Sequence, residues 1–202
     1  MSKPVIAVDA DDTIFDENNA VRLYMNERYG FRHSLEDYEV AGPYMNYFAD
    51  IWQVSAEEAT ARYEAFEVAY KTELKLKPFK HAAEVLKELK STYDLVVLTS
   101  RNQHLVAGTH GSLAEHYPDI FKDVHFKPLW GGDRKATKAE ICLEIGAGYL
   151  IDDCFEHCEL AAEAGVEALL FGEYGWNRTQ KLPPCMTRVK DWAAVKDYFD
   201  GR

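Results

Sequence analysis

At 202 residues the chain is long enough for one full α/β domain with an insertion and too short for two large domains. Hydrophobic residues at 47% and charged residues at 28% exclude a disordered chain, and a formal charge of −11 excludes nucleic-acid polymers and anionic membranes as default partners, while local cations can still hold a small anion. Cys142, Cys154, Cys158 and Cys185 lack CxxC spacing, and no leader-like segment or apolar run near ~18 residues is present, so the expectation is a soluble, cytoplasmic protein with reduced thiols.

In chain order, residues 5–8 (Val-Ile-Ala-Val) form an apolar run without polar interruption, the pattern of a strand buried on both faces in a parallel sheet. The acids Asp9, Asp11 and Asp12, followed by Thr13, begin where the run stops. Residues 17–29 read as a helix capped by Asp16 and stopped by Gly30. Capping-box patterns occur at residues 34–37 and 55–58, the second opening a helix over 56–71, and Gly42-Pro43 breaks the chain between them. Residues 16–77 thus read as an inserted helical cap, rich in Tyr and Phe, and residues 1–15 with 78–202 as the core. Beyond Pro78, helices are expected at 81–90, 103–115, 135–145, 155–164 and 191–199, and strands at 95–98, 124–126, 149–151 and 168–171. Alternation of this kind predicts an α/β fold: a three-layer, Rossmann-like core with a right-handed parallel sheet.

Three strand ends carry chemistry. Asp9 and Asp11 are two residues apart, so in an extended chain both carboxylates project to one side at the carboxyl end of a strand, where open α/β sheets place ligands. At an effective dielectric of about 20, two such charges roughly 4 Å apart repel by about 4 kcal/mol, and a hard divalent ion such as Mg²⁺ suits an all-oxygen site. Thr99, Ser100 and Arg101 end the second apolar run, where a hydroxyl and backbone N–H groups can meet an anion or simply cap a helix. Asp152 and Asp153 end a third, repeating the device seen at Asp9. Ahead of that strand a lysine, Lys135 or Lys138, opens a helix, where its charge opposes the helix dipole unless it answers a negative group. Cys154 and Cys158 flank His157, but no second ligand pair at zinc spacing follows.

Taken together, Asp9-Ala10-Asp11-Asp12-Thr13, Leu98-Thr99, Lys138 and Ile151-Asp152-Asp153 resemble, in order, the four motifs of the haloacid dehalogenase-like hydrolase superfamily, over residues 4–171. The resemblance implies a phosphatase with a small helical cap: Asp9 as nucleophile, Asp11 as proton donor and acceptor with its carboxyl raised by acidic neighbours, and Thr99 and Lys138 on the phosphoryl oxygens. It further implies Mg²⁺ held by Asp9, the Asp11 carbonyl and Asp153, with Asp152 beside them; the last two are interchangeable by sequence. Asp11 argues for phosphoryl transfer, since dehalogenases of the superfamily lack that second aspartate. Asp12 stands where relatives often have Gly. Receiver domains of two-component signalling use similar residues in a different chain order.

Substrate choice falls to the insertion and the C-terminal loop. Tyr63, Phe66 and Tyr70 recur at helical spacing and read as packing, whereas Tyr44, Phe48 and Trp52 are the candidates to face a planar group. Thr13, Ser100, Arg101, Phe48 and Trp52 form the expected substrate-contacting set, with Arg178 and the Trp176 loop as further candidates. The stretch from Gly165 through Tyr174-Gly-Trp-Asn-Arg resembles the 5'(3')-deoxyribonucleotidase branch, which implies a nucleotide-like phosphate ester as substrate; the sequence leaves monomer and homodimer both open. Sugar phosphates, or a non-catalytic phospholigand-binding protein of the same fold, are the alternative readings.

Overall fold

The apolar run Val5–Val8 becomes the inner strand β1 of a six-stranded, wholly parallel sheet in the computed structural model, which describes residues 2–42, 46–72, 75–127, 137–178 and 181–202. Before the second strand the chain runs through α1 (Glu17–Tyr29), a 3₁₀ turn (Glu36–Tyr38), α2 (Tyr47–Trp52), α3 (Ala56–Phe66), a π-helical turn (Glu67–Lys71) and α4 (Ala82–Leu89). The remainder alternates: β2 (Asp94–Thr99), α5 (Val106–His116), β3 (Asp123–Phe126), α6 (Lys138–Glu144), β4 (Ala147–Asp152), α7 (Phe155–Glu163), β5 (Glu167–Phe171), β6 (Met186–Val189) and α8 (Trp192–Asp200).

Sheet order is β3-β2-β1-β4-β5-β6, so the chain's direction of winding reverses at β1. Val8 is in register with Val97 of β2 and Ile151 of β4, which brings the carboxyl ends of these three strands to one edge. That edge is the switch point at which α/β sheets bind ligands. Alternation along the strands makes the layers: Ile6, Val8, Leu95 and Val97 pack with α4 and α8 on one face, and Ala7, Val96, Leu98 and Leu150 with α6 and α7 on the other. Tyr38, Trp52 and Phe66 continue the first of these cores, so the apolar packing of the inserted helices runs on into that of the sheet.

Several expectations change in detail. Asp16 does not cap α1; its carboxylate accepts from the Asn19 side chain instead. The box at 34–37 opens only a 3₁₀ turn, while Ser55 caps α3 through Glu58 N–H. The helix expected over 56–71 widens to a π turn in its last five residues. α2 and β6 were not anticipated: six residues are too few to establish a 3.6-residue period, and Met186–Val189 offers only two buried positions. Gly108 of α5 lies so close to the π turn that a Cβ there would collide with the Lys71 carbonyl oxygen, and this approach fixes Lys71 against the sheet-bearing part of the chain. Tyr44 and Lys135 lie outside the described residues.

Candidate functional site

A cavity of about 490 Å³ opens at the switch point. Its floor is built by strand ends. Asp9 follows β1 and donates its N–H to the Ile151 carbonyl of β4 at 2.9 Å, continuing the ladder one residue past the strand. Lys138 is the first residue of α6, whose start is set by a reciprocal capping box: Thr137 Oγ1 accepts from Glu140 N–H and Glu140 Oε2 from Thr137 N–H. From there its ammonium donates to Asp9 Oδ1 at 2.6 Å and Asp152 Oδ2 at 2.7 Å. These carboxylates supply the negative charge that a lysine at a helix start requires.

Asp152 is fully buried and spends both oxygens on protein donors, Oδ1 accepting from Cys154 N–H at 2.9 Å. Asp153 is held differently: Trp176 Nε1 donates to its Oδ2 at 2.8 Å and Asn177 to its backbone carbonyl. Carboxylate oxygens of Asp9, Asp152 and Asp153 lie within 4.8 Å of one another. Electrostatics separates the three. Burial pushes Asp9 up to about 6 despite Lys138, and burial with the charges of Asp152 and Asp9 raises Asp153 well above the carboxylate range. Asp152 is also desolvated, yet Lys138 and His157 hold it below its ordinary value. Three buried carboxylates with one lysine between them fit a hard divalent ion, which binds oxygen donors and supplies the missing positive charge.

The opposite wall joins the strand edge to the inserted helices. Arg101, just past β2, donates through Nη2 to Asp11 Oδ1 at 2.6 Å and through Nε to Oδ2 at 3.0 Å. Lys71 of the π turn donates to the same Oδ2 and to Tyr63 Oη, each at 3.2 Å. It also pairs with Glu17 at 3.0 Å and Glu67 at 3.4 Å. Tyr63 Oη donates to Glu17 Oε1. Burial would raise Asp11, but Arg101 and Lys71 hold it well below the usual range, which overturns the expectation of a carboxyl raised by its acidic neighbours. Glu17 carries the opposite shift, raised by burial and by the Asp11 charge.

Not all anticipated residues meet here. Asp9, Asp11, Ser100, Arg101, Lys138, Asp152, Asp153, Phe48 and Trp176 line the cavity. Thr99 is fully buried with its hydroxyl accepting from Arg101 N–H, and Ser100 takes its place in the wall, its own buried hydroxyl having no hydrogen-bond partner among the described residues. Thr13 lies behind the wall, where its carbonyl accepts from Trp192 Nε1. Trp52 is likewise displaced: it stacks on the far face of Phe48, with ring centres 5.0 Å apart, and donates to Tyr38 Oη at 2.6 Å. Arg178 is exposed and donates to the Glu39 carbonyl. Asp12 is buried in the left-handed region at φ 54°, a conformation Asp tolerates better than most side chains, with Asn18 N–H on its carboxylate.

Tyr47, Glu17, Tyr63, Glu67 and Lys71 are among the lining residues that sequence reasoning did not assign to the site. Tyr63, Glu67 and Lys71 form a polar stripe at four-residue spacing, a signal that was present beside the aromatic one.

No protein-family model and no curated protein matches this chain. Solved structures do match in fold. A haloacid dehalogenase-like family hydrolase from Streptococcus pneumoniae superposes with a TM-score of 0.67 at 17% identity, covering 98% of both chains. A "predicted phosphoglycolate phosphatase" from Haemophilus somnus gives 0.65 at 16%, covering 98% of this chain and 99% of the other. A structure from Bacillus subtilis described as a HAD-hydrolase bound to magnesium gives 0.65 at 13%, covering 99% and 100%. The chain therefore has the Rossmann-like fold of haloacid dehalogenase-like hydrolases and phosphatases, as its motif order implies.

Proposed function

We propose that the protein is a Mg²⁺-dependent phosphomonoesterase working through a phosphoaspartyl intermediate, with residues 16–77 as a helical cap over a core of 1–15 and 78–202. The observation that carries this reading is the meeting of Asp9, Lys138, Asp152 and Asp153 at the switch point beneath an open cavity. The fold neighbours support it by their names as hydrolases and phosphatases.

Asp9 attacks phosphorus with the oxygen not engaged by Lys138, and the bond to the leaving oxygen breaks. Lys138 and the Ser100 hydroxyl take the phosphoryl oxygens as charge moves onto them. In the second half water attacks the aspartyl phosphate, Asp11 accepts its proton, and phosphate leaves with Asp9 restored. Arg101 and Lys71 keep Asp11 a carboxylate at rest. Its earlier service as donor to the leaving alkoxide therefore requires that it take up a proton when substrate is bound. Mg²⁺, bound by Asp9, Asp153 and the Asp11 carbonyl, would neutralise charge on the phosphoryl group. Asp153 is preferred over Asp152 because both oxygens of Asp152 are already engaged.

A nucleotide-like substrate is the finer reading, supported by the Phe48 ring in the cavity wall, backed by Trp52 and lying 5.5 Å from Tyr63 at a 24° tilt. Phosphate release with Mg²⁺ across nucleoside monophosphates, sugar phosphates and an aryl phosphate tests both levels. Nucleotides are expected to lead, and Asp9→Asn to lose turnover by at least about 10³-fold while remaining folded. Retained activity in that variant removes the covalent mechanism, and sugar phosphates alone as substrates remove the nucleotide reading.

A further inference from the structure

The cations of this cavity are already committed. Its described lining holds nine carboxylate side chains against three cations, Lys71, Arg101 and Lys138, with His157 beside them. Lys138 lies between Asp9 and Asp152, at the end assigned to the phosphoryl group. At the other end Arg101 is bound to Asp11, and Lys71 is ringed by Asp11, Glu17 and Glu67. Outward from them α3 adds Glu57 and Glu64, both exposed on the cavity rim. The other described lining there is uncharged: the aromatic rings of Tyr47, Phe48 and Tyr63, the alanines of α2 and α3, and the neutral polar side chains of Asn46, Thr60 and Asn102. Among the described residues no uncommitted cation stands at the leaving-group end to answer a second negative charge.

Resting on the phosphomonoesterase reading, we propose that this cavity selects its substrates by the charge of the alcohol: it accepts monophosphate esters of neutral or cationic alcohols and rejects those bearing a carboxylate or a second phosphoryl group. An added anion enters a region whose own charges are balanced or negative, so it loses hydration without gaining a cation in exchange. Nucleosides and amino alcohols fall in the accepted class. The two ends of the cavity thus differ in kind, one short of positive charge until a divalent ion joins it, the other closed to further negative charge.

Matched pairs of esters test this with the full chain and Mg²⁺: ethanolamine phosphate against phosphoglycolate, glycerol 3-phosphate against 3-phosphoglycerate, and a deoxynucleoside 5'-monophosphate against its 3',5'-bisphosphate. The first member of each pair is expected to have the higher kcat/KM by about 10- to 100-fold, the range a like charge several ångströms away produces at intermediate dielectric. The gap is expected to narrow in Glu64→Lys, which places a cation on the rim. Equal or reversed ranking in the pairs, or an unchanged gap in that variant, overturns the proposal. Calorimetric binding of the same pairs to the Asp9→Asn protein with Mg²⁺ reads discrimination apart from turnover. If the wild type hydrolyses no ester, the catalytic reading falls, and the charge ranking in binding still decides this one.

Discussion

Two carboxylate clusters share one cavity and are neutralised differently. Among the described residues Asp9, Asp152 and Asp153 share one lysine, Lys138, with His157 beside Asp152, and two of the three are pushed upward in pKa. Asp11, Glu17 and Glu67 have two, Arg101 and Lys71, with the phenol of Tyr63 bridging Glu17 and Lys71. The contrast teaches that acid count alone does not make a cation site. The first cluster is electrostatically incomplete and suited to an added divalent ion; the second is nearly complete and acts as a fixed polar wall. Their origins differ too. The first comes from strand ends held in register by the sheet, the second from helices that reach the strand edge through long side chains.

The comparison is broken most strongly at Lys138. Lys138→Met leaves Asp9 and Asp152 buried without their shared partner, and a loss of about 3–5 kcal/mol is expected in denaturant unfolding at neutral pH without divalent ions, partly restored by Mg²⁺. A loss below about 1 kcal/mol would show that the carboxylates reach water in solution.

Acid–base behaviour sharpens it next. Asp9 lies at about 6 in the folded chain against an ordinary 3.8, so the folded state binds the extra proton and stability from this group falls as pH rises from about 4 to 6. Asp9 alone accounts for about 3 kcal/mol across that window, and Asp153 acts in the same direction. Mg²⁺ is therefore expected to raise Tm more at pH 7.5 than at pH 5. An equal rise at both pH values would place the ion's effect outside this cluster.

The smaller effect belongs to the second wall. Lys71→Met removes one of two cations from a cluster in which Glu17 can stay protonated, and about 2 kcal/mol of stability is expected to go. Mg²⁺ should not restore it. Rescue by Mg²⁺ as complete as in Lys138→Met would mean that the two clusters behave as one.

How much of this was legible in sequence follows the same division. Asp9, Lys138, Asp152 and Asp153 stand where an apolar run or a capping box ends, and those boundaries are local signals that the sheet then aligns. Thr99 and Ser100 are adjacent, and which of them faces the cavity depends on how the chain leaves β2, which no residue pattern specifies. Trp52 and Phe48 lie one helical turn apart on α2, so their spacing was compatible with a shared site, but only packing against Tyr38 turned Trp52 inward. Lys71 and Glu17 give no sequence signal of their burial, because burial of a long charged side chain comes from contacts distant in sequence.

Composition, hydrophobic period and strand-end acids determined by themselves the parallel α/β core and the acids that gather at the carboxyl ends of its strands. These follow from local rules: apolar runs bury, and polar residues stand where runs stop. Only the tertiary structure decided that Arg101 and Lys71 clamp Asp11, that Ser100 and not Thr99 lines the wall, and that Gly108 seats the π turn close enough to bring Lys71 to the strand edge. Each depends on the distance between segments far apart in the chain, and that distance is set by packing of the whole.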